Sequence, residues 1–556
     1  MPVSNPPTYR EQCTKVVGFD AATCDYLCDG TADEVQINAA ITAVVALGGG
    51  CVALQRGTYD VRASIVMGSE VWLKGSGFDT VLLRSTANFD VITATSKTKC
   101  IISDFYLNGA TTATHGIYFN GTTYSIIRHV YIVNMSEAIH LLGSSDGCQI
   151  TDNIIGASSG NAIYVASGYY CIVQRNFIYT TGGVAVYLAS SYHLCVGNIV
   201  YGSTGDVANT SFQVSTDSTV TGNLSILDTA VAVDGFTGGG RTALAGNIAY
   251  GGRKGFSITG NNASVVNNMV YACNQDGITF SGDDSNITGN SVLVTGKHGI
   301  YLTSCYRSVC SSNIVNSPDK SSTNTYDGIN VTNSSDCILS GNLVTDGLGY
   351  NVRDGIRLLG TSEDNVICNN RIRGYDIGIN VSVATCNRNL VKNNVLLNNT
   401  VVFADSGIGT KLASVIVSFV DGTDPQDSGF LVDSTNGGDD FARAYTMLPV
   451  EVQQVVRAKV YARSVVAETH SMEADFTVYG AADNEPYNTH DGSAASLGST
   501  SVNFAADDVV YWALTAAGLL AMLGKDNVQV KVDYAAADGD NCATNAYFRT
   551  VEIEYV

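Results

Sequence analysis

Short runs of alternating apolar and polar residues recur along most of the chain, and they recur in phase. Around Asn153, Ile150 stands three residues before and Ile155 two after. The same frame surrounds Asn176, Asn198, Asn223, Asn247, Asn268, Asn290, Asn313, Asn342, Asn370 and Asn394, at spacings of 21 to 29 residues. The position three before is always aliphatic or Cys (Val173, Cys195, Val220), and the position two after is small or aliphatic (Ile178, Val200, Ser225). Phe105 and Val130 hold the asparagine's place in two earlier repeats. Further along each repeat comes a G-I-x-[LVF] run, as in GITF at 277–280, GIYL at 299–302, GINV at 328–331 and GIRL at 355–358.

Alternation with period two predicts strands, with one side chain inward and the next outward. Three short strands per repeat, stacked on the next repeat, predict an all-β parallel β-helix of about 12–14 coils. The aliphatic columns fill its bore. The asparagines turn inward at a bend, where each amide bonds to the next coil and satisfies backbone groups that the corner leaves unpaired. Cys100, Cys148, Cys171 and Cys337 lie five residues before the ladder position, where other coils carry Ser125, Ser218, Thr242, Ser285 and Ser308. That column selects small inward side chains and predicts buried free thiols.

Solenoid ends need caps. Val35, Ile37, Ile41 and Val44–Val45 have near-helical spacing and stop at Gly48–Gly50, predicting a helix over the first coil, with a strand entering at 51–61. The repeat disappears after Leu397. From about residue 410 the runs VVRAKVYARSVV, MEADFTVYG, VQVKVDYA and YFRTVEIEYV predict an antiparallel β-sandwich. The expected organisation is an N-terminal segment at 1–28, a capped parallel β-helix at 29–404, and a C-terminal β-sandwich at 410–556.

Composition narrows the partners. Hydrophobic residues make up 45% and charged residues 15%, which excludes a disordered chain. The net charge of −21 repels phosphate backbones, so no nucleic-acid partner is expected. No apolar run is long enough to insert in a membrane, and the opening MPVSNPPTYREQC lacks the pattern of a secretory signal peptide. Cys24 and Cys28 form the only tight cysteine pair, so no metal is expected from the thiols. No cofactor is expected; the acidic turns Gly437–Asp440 and Asp538–Asp540 suit Ca²⁺ or are solvated loop acids.

The D-G-x-x-D-E start at Asp29–Glu34, the capping helix and the Gly-rich strand that follows resemble the pectate-lyase-like right-handed β-helix superfamily, in its phage tailspike form. The resemblance spans residues 20–400 or so. It implies the fold and, in tailspike-like proteins, a homotrimer whose C-terminal β-sandwich serves oligomerisation or glycan binding. It leaves the activity open, because the superfamily holds lyases, hydrolases, epimerases and non-catalytic adhesins. The lyase calcium ligands find no counterpart, since no aspartate cluster occupies consecutive outward strand positions.

Candidate chemistry follows from loop length. Two consecutive coils carry insertions at the same corner, at 316–328 and 346–355, and long loops on a rigid scaffold commonly hold the site. They contain Asp319, Asp327, Asp346, Arg353 and Asp354. Asp327 and Asp354 occupy one place in adjacent coils, so their backbones should lie ~4.8 Å apart. Paired carboxyls ~5 Å apart suit a retaining glycosidase and ~6.5–9.5 Å an inverting one. Asp327, Asp346 and Asp354 are therefore the candidate catalytic residues, against the plainer reading that Asp-Gly is turn chemistry. Tyr118, His140, Tyr164 and Tyr187 form an outward ladder on successive G-I strands, suited to sugar rings or to a neighbouring subunit. Arg353, Arg357, Arg371, Arg373 and Arg388 suit an anionic glycan or pair with nearby acids. Phe177/Tyr179, Ile199/Tyr201, Ile248/Tyr250 and Met269/Tyr271 make an outer stripe too apolar for water, which predicts a homotrimer contact.

The function expected is a tailspike or fibre, on a virion or outside the cell, that binds and hydrolyses a bacterial surface polysaccharide. A polysaccharide lyase with an Arg or Tyr base near 350–357 and a non-catalytic adhesin are the alternatives.

Overall fold

The computed structural model describes residues 13–84, 88–202, 210–227, 233–319, 324–347, 349 and 352–413, and beyond these the backbone of the C-terminal strands. The chain divides into two compact units. One holds residues 1–362, 370–380 and 396–404; the other holds 363–369, 381–395 and 405–556.

The first unit is built by parallel pairing of each coil with the next. In one coil the lead strand Gln149–Thr151, the trailing strand Ile154–Ser158 and the G-I strand Ile163–Val165 pair with Ile172–Gln174, Phe177–Thr181 and Val186–Leu188. Like positions pair with like: Ile150, Val173, Cys195 and Val220 form one unbroken column. The result is a parallel β-helix of about 14 turns. Its inward columns are sealed, with Ile150, Ile178, Val200, Val270 and Ile300 all at 0% exposure. Phe212, Phe236 and Phe256 stack inside the bore with centroids 4.8 and 4.7 Å apart and planes within 6° and 7° of parallel.

The asparagine ladder is as the spacing predicts. The Oδ1 of Asn198 accepts from both the backbone N–H and the Nδ2 of Asn176, each at 2.9 Å, while Asn176 Nδ2 also donates to the Ile150 carbonyl. The pattern repeats at Asn247 and Asn268. The small-residue column five positions earlier also bonds between coils: Ser125 Oγ accepts from Cys100 N at 2.8 Å, and Ser285 Oγ from Ala263 N at 3.0 Å. His193 departs from the expected size yet does the same work, its Nδ1 accepting from Cys171 N. The described cysteines are free thiols. Burial pushes Cys195 and Cys310 up to about 12, so both stay protonated.

Glycine opens the G-I run for reasons of space. A Cβ on Gly299 would lie 2.2 Å from Val315 Cγ1 and 2.7 Å from the Gly328 carbonyl, and one on Gly328 would lie 2.5 Å from the Gly355 carbonyl. The coils approach too closely here for any side chain, which is a firmer reason than turn chemistry.

The capping helix runs Glu34–Ala46. It buries Ile37, Ala40, Ile41 and Val44, whereas Val35 and Val45 face outward, so the apolar face is narrower than their spacing suggested. Asp33 tethers the helix start by accepting from Gly30 N and Asp60 N. The helical unit also reaches upstream of residue 29: Lys15–Gly18 pairs with Gly50–Leu54.

In the second unit, Val366–Cys368 pairs with Leu390–Lys392, which pairs with Lys411–Ala413. Beyond them lie two five-stranded sheets whose pairings are antiparallel, such as Val455–Ser464 on Ala546–Tyr555 and Ser471–Ala481 on Asn527–Ala536. This is the pairing a β-sandwich needs. The turns Gly437–Asp440 and Asp538–Asp540, considered for Ca²⁺, lie outside the described residues.

Candidate functional site

The residue two positions before the inward aliphatic of each G-I strand forms a column of its own. Coil by coil it reads Asp90, His115, Glu137, Asn161, Val184, Thr210, Asp234, Lys254, Asp276, His298, Asp327 and Asp354. Interstrand bonds confirm the alignment: Gly277 N donates to His298 O, Gly299 N to Asp327 O, and Gly328 N to Asp354 O. This polar column borders the outward face of the G-I strands, where Tyr118, His140, Tyr164 and Tyr187 pair in register. Two clusters condense along it.

The first, toward the C-terminal coils, contains the predicted acids. Arg353 grips Asp327 with two parallel bonds, Nε to Oδ1 at 2.9 Å and Nη2 to Oδ2 at 3.0 Å. Asn330 Nδ2 donates to Asp327 Oδ2 at 2.6 Å, and His298 Nδ1 lies 3.4 Å from that oxygen. Asp354, one coil on, accepts from Asn380 Nδ2 at 3.0 Å, with Arg357 Nη1 at 3.5 Å and Arg353 Nε at 3.7 Å from the same oxygen. Its Oδ1 is buried without a hydrogen bond. Burial, and then the neighbouring Asp327 charge, lift Asp354 to about 6. Burial also lowers His298 below its usual range, favouring the neutral ring. Asp319 accepts from Thr325 N and Tyr326 N, and burial raises its carboxyl too. Both Asp327 and Asp354 have 0% side-chain exposure, while Arg353 above them is 31% exposed.

The structure thus brings Asp327, Asp354, Arg353 and Arg357 together. Asp346 stands differently: half-buried, its Oδ1 closes its own turn by accepting from Gly349 N. Arg388 pairs with Glu363 and Asp364, and Arg371 and Arg373 are exposed on their strand.

The second cluster, near the N-terminal end, was missed apart from His140. His115 Nδ1 lies 2.7 Å from Asp90 Oδ1, and His115 Nε2 lies 3.3 Å from Glu137 Oε2. His140 Nδ1 approaches Glu137 Oε2 at 2.8 Å and His115 Nε2 at 3.1 Å. Burial disfavours a charged His115, but the Asp90 and Glu137 carboxylates outweigh it and raise the imidazole to about 9. Burial also disfavours ionised Glu137, yet the two imidazoles and Asn161 lower it to about 2. A signal for these residues existed in the sequence, since the position before the Gly or Ala of each G-I run is repeatedly polar. His298 and Lys254 share that signal.

The aromatic ladder is continuous but self-stacked. Tyr164 and Tyr187 lie 4.8 Å apart with planes 8° from parallel, and Tyr164 meets His140 at 4.7 Å. Inner ring faces therefore touch each other, and edges and hydroxyls remain for a ligand. Of the outer stripe, Phe177, Ile199, Tyr201, Ile248, Tyr250, Met269 and Tyr271 are exposed, whereas Tyr179 is half-buried with its hydroxyl bonded to that of Tyr131.

A family model described as NosD, a periplasmic copper-binding protein, matches residues 67–226 and 319–412. No curated protein matches the chain. Among solved structures, the A-module of the mannuronan C-5 epimerase AlgE6 of Azotobacter vinelandii is 15% identical, with 70% of this chain and 97% of that one covered, at a TM-score of 0.34. A mutant tailspike protein of E. coli bacteriophage HK620, solved with a pentasaccharide, is 12% identical over 97% of this chain and 93% of its own, at a TM-score of 0.44. Tailspike protein 3 of bacteriophage CBA120 is 11% identical, covering 71% and 61%, at 0.36.

Proposed function

We propose that this chain binds a bacterial surface polysaccharide along the face bearing its G-I strands and hydrolyses it at the Asp327–Asp354 corner, as part of a virion or an extracellular assembly. The observation that carries the reading is the division of labour between two adjacent carboxyls. Asp327 is gripped by Arg353, whereas burial lifts Asp354 to about 6. Neighbouring carboxyls in unlike surroundings, one paired with a cation and one lifted by burial, are how acid and base roles are divided in glycoside hydrolysis. Asp354 is then the general acid and Asp327 the base or nucleophile.

Burial of both carboxyls sets a condition. Substrate reaches them only when Arg353 leaves Asp327, and an anionic sugar competing for Arg353 and Arg357 supplies the reason for it to leave. The ring edges and hydroxyls of Tyr118, Tyr164 and Tyr187 extend the same face and suit sugar hydroxyls and C–H groups.

The test is incubation with a panel of bacterial surface polysaccharides, reading new reducing ends, near-ultraviolet absorbance and retention of glycan. Reducing ends without absorbance, abolished by Asp354→Asn while glycan is still retained, is the expected result. An absorbing unsaturated product would instead mean β-elimination and a lyase. Retention with no cleavage, indifferent to Asp327→Asn and Asp354→Asn, would mean an adhesin.

A further inference from the structure

Three donor atoms converge at the second cluster: His115 Nε2, Glu137 Oε2 and His140 Nδ1. Their mutual separations are 3.3, 2.8 and 3.1 Å. Metal–ligand bonds of ~2.0–2.1 Å place neighbouring donors roughly 2.9–3.4 Å apart, from octahedral to tetrahedral geometry. The cluster already has nearly those dimensions.

From this geometry we infer that His115, Glu137 and His140 form a binding site for a divalent first-row transition metal ion.

The supporting residues fit that role. Asp90 holds the Nδ1 side of His115 at 2.7 Å, which leaves Nε2 as the ring nitrogen facing the other two donors. Carboxylate–imidazole–metal relays are built this way. Asn161 Nδ2 donates to Glu137 Oε1 at 2.8 Å, leaving Oε2 to face the imidazoles. The Nε2 of His140 is buried and makes no hydrogen bond, so the polar contacts of its ring are on the Nδ1 side. Tyr118 stacks on His115 at 5.0 Å and Tyr164 leans on His140 at 4.7 Å, restricting both rings.

The donor set selects the ion. Two imidazoles and one carboxylate suit Zn²⁺, Co²⁺ or Cu²⁺ and not Ca²⁺ or Mg²⁺, which take oxygen ligands. Side-chain exposures of 16%, 17% and 13% leave the cluster reachable from solvent. Three protein ligands with open positions describe a centre that takes water or a further ligand, not a sealed structural site. Cysteine spacing contained no hint of it. The donors come from adjacent coils and meet only because the coils stack in register.

The experiment uses tag-free full-length protein dialysed against chelator, then titrated calorimetrically with Zn²⁺ and with Cu²⁺. Co²⁺ binding is followed separately by visible absorption. One ion per chain is expected, with at least a hundredfold loss of affinity in His115→Ala and His140→Ala. Asp90→Asn should weaken binding ~10–100-fold, the usual effect of removing an outer partner. His129→Ala, at an exposed histidine facing Asp104, should bind as the unaltered protein does. Thermal melts in chelator establish that each variant is folded. No stoichiometric binding by the unaltered protein, or full binding by folded His115→Ala and His140→Ala variants, would overturn the inference.

Discussion

Arg353 reaches across to Asp327, 26 residues earlier, and closes a two-point bond with Nε–Oδ1 at 2.9 Å and Nη2–Oδ2 at 3.0 Å. The carboxylate is fully buried and the arginine is its main counter-charge. Removing one partner of a buried pair costs ~3–5 kcal/mol, because the other charge is left uncompensated. Arg353→Ala should therefore lower unfolding free energy by about that amount, and Asp327→Asn with Arg353→Met should recover much of it. Denaturant unfolding of the two single variants and the double variant measures the coupling. A loss below ~1 kcal/mol would mean that Asp327 is hydrated in solution.

The raised Asp354 carboxyl has a definite pH signature. Its folded value of about 6 lies above the ordinary 3.8, so the folded state binds more protons between those limits. Its contribution is fully present below pH ~3.8 and is lost as pH rises through about 6. Stability should fall over that window, and Asp354→Asn should flatten the fall. If Asp354 is the general acid, glycan cleavage should decline above pH ~6 in parallel. An unchanged slope in the variant would show that another group is responsible.

Asn247 tests the ladder. Its Oδ1 accepts from Asn223 N and Nδ2, and its Nδ2 donates to the Val220 carbonyl and to Asn268. Asn247→Ala strands buried polar groups on both neighbouring coils at ~1–3 kcal/mol each. A loss of roughly 2–5 kcal/mol is expected by denaturant unfolding. A near-neutral outcome would mean that water replaces the amide.

Gly299→Ala tests the close approach of coils. Its methyl meets the Gly328 carbonyl and Val315 at distances no real Cβ adopts, and both neighbours belong to the packed wall. Overpacking of this kind costs ~1–3 kcal/mol. Unfolding measurements on the variant should show it, while an unaffected midpoint would show that the coils can separate locally.

The outer stripe bears on assembly. Phe177, Ile199, Ile248 and Met269 are each about two-fifths exposed, on trailing strands of the same wall. Burial in a homotrimer would remove that surface from water. Light scattering should give three times the chain mass, and Ile248→Glu should reduce it. A monomer would leave the stripe free for ligand.

Much of this was readable in the sequence for a physical reason. A repeating fold writes each structural position many times. The asparagine column, the bore positions and the Tyr118–Tyr187 ladder therefore stood out, and the register confirmed them. The helix face was read less well: Val35 and Val45 match the apolar spacing but lie on the side away from the first coil. Position in a loop placed Asp327, Asp346 and Asp354 near one another only to coil resolution. Asp327 and Asp354 lie together beside Arg353, while Asp346 closes its own turn.

By itself the sequence determined the period, the inward and outward columns, and hence the parallel β-helix, since these follow from local alternation and repetition. Only the tertiary structure decided which polar side chains meet. Asp327 with Arg353, and His115 with Glu137 and His140, are separated by 22 to 26 residues, about one coil, a spacing that places residues in adjacent coils without saying which side chains touch. Their meeting depends on stacking register and side-chain direction. Register also decided protonation, because burial beside a second carboxylate is what lifts Asp354, and neither burial nor neighbour is written at residue 354 alone.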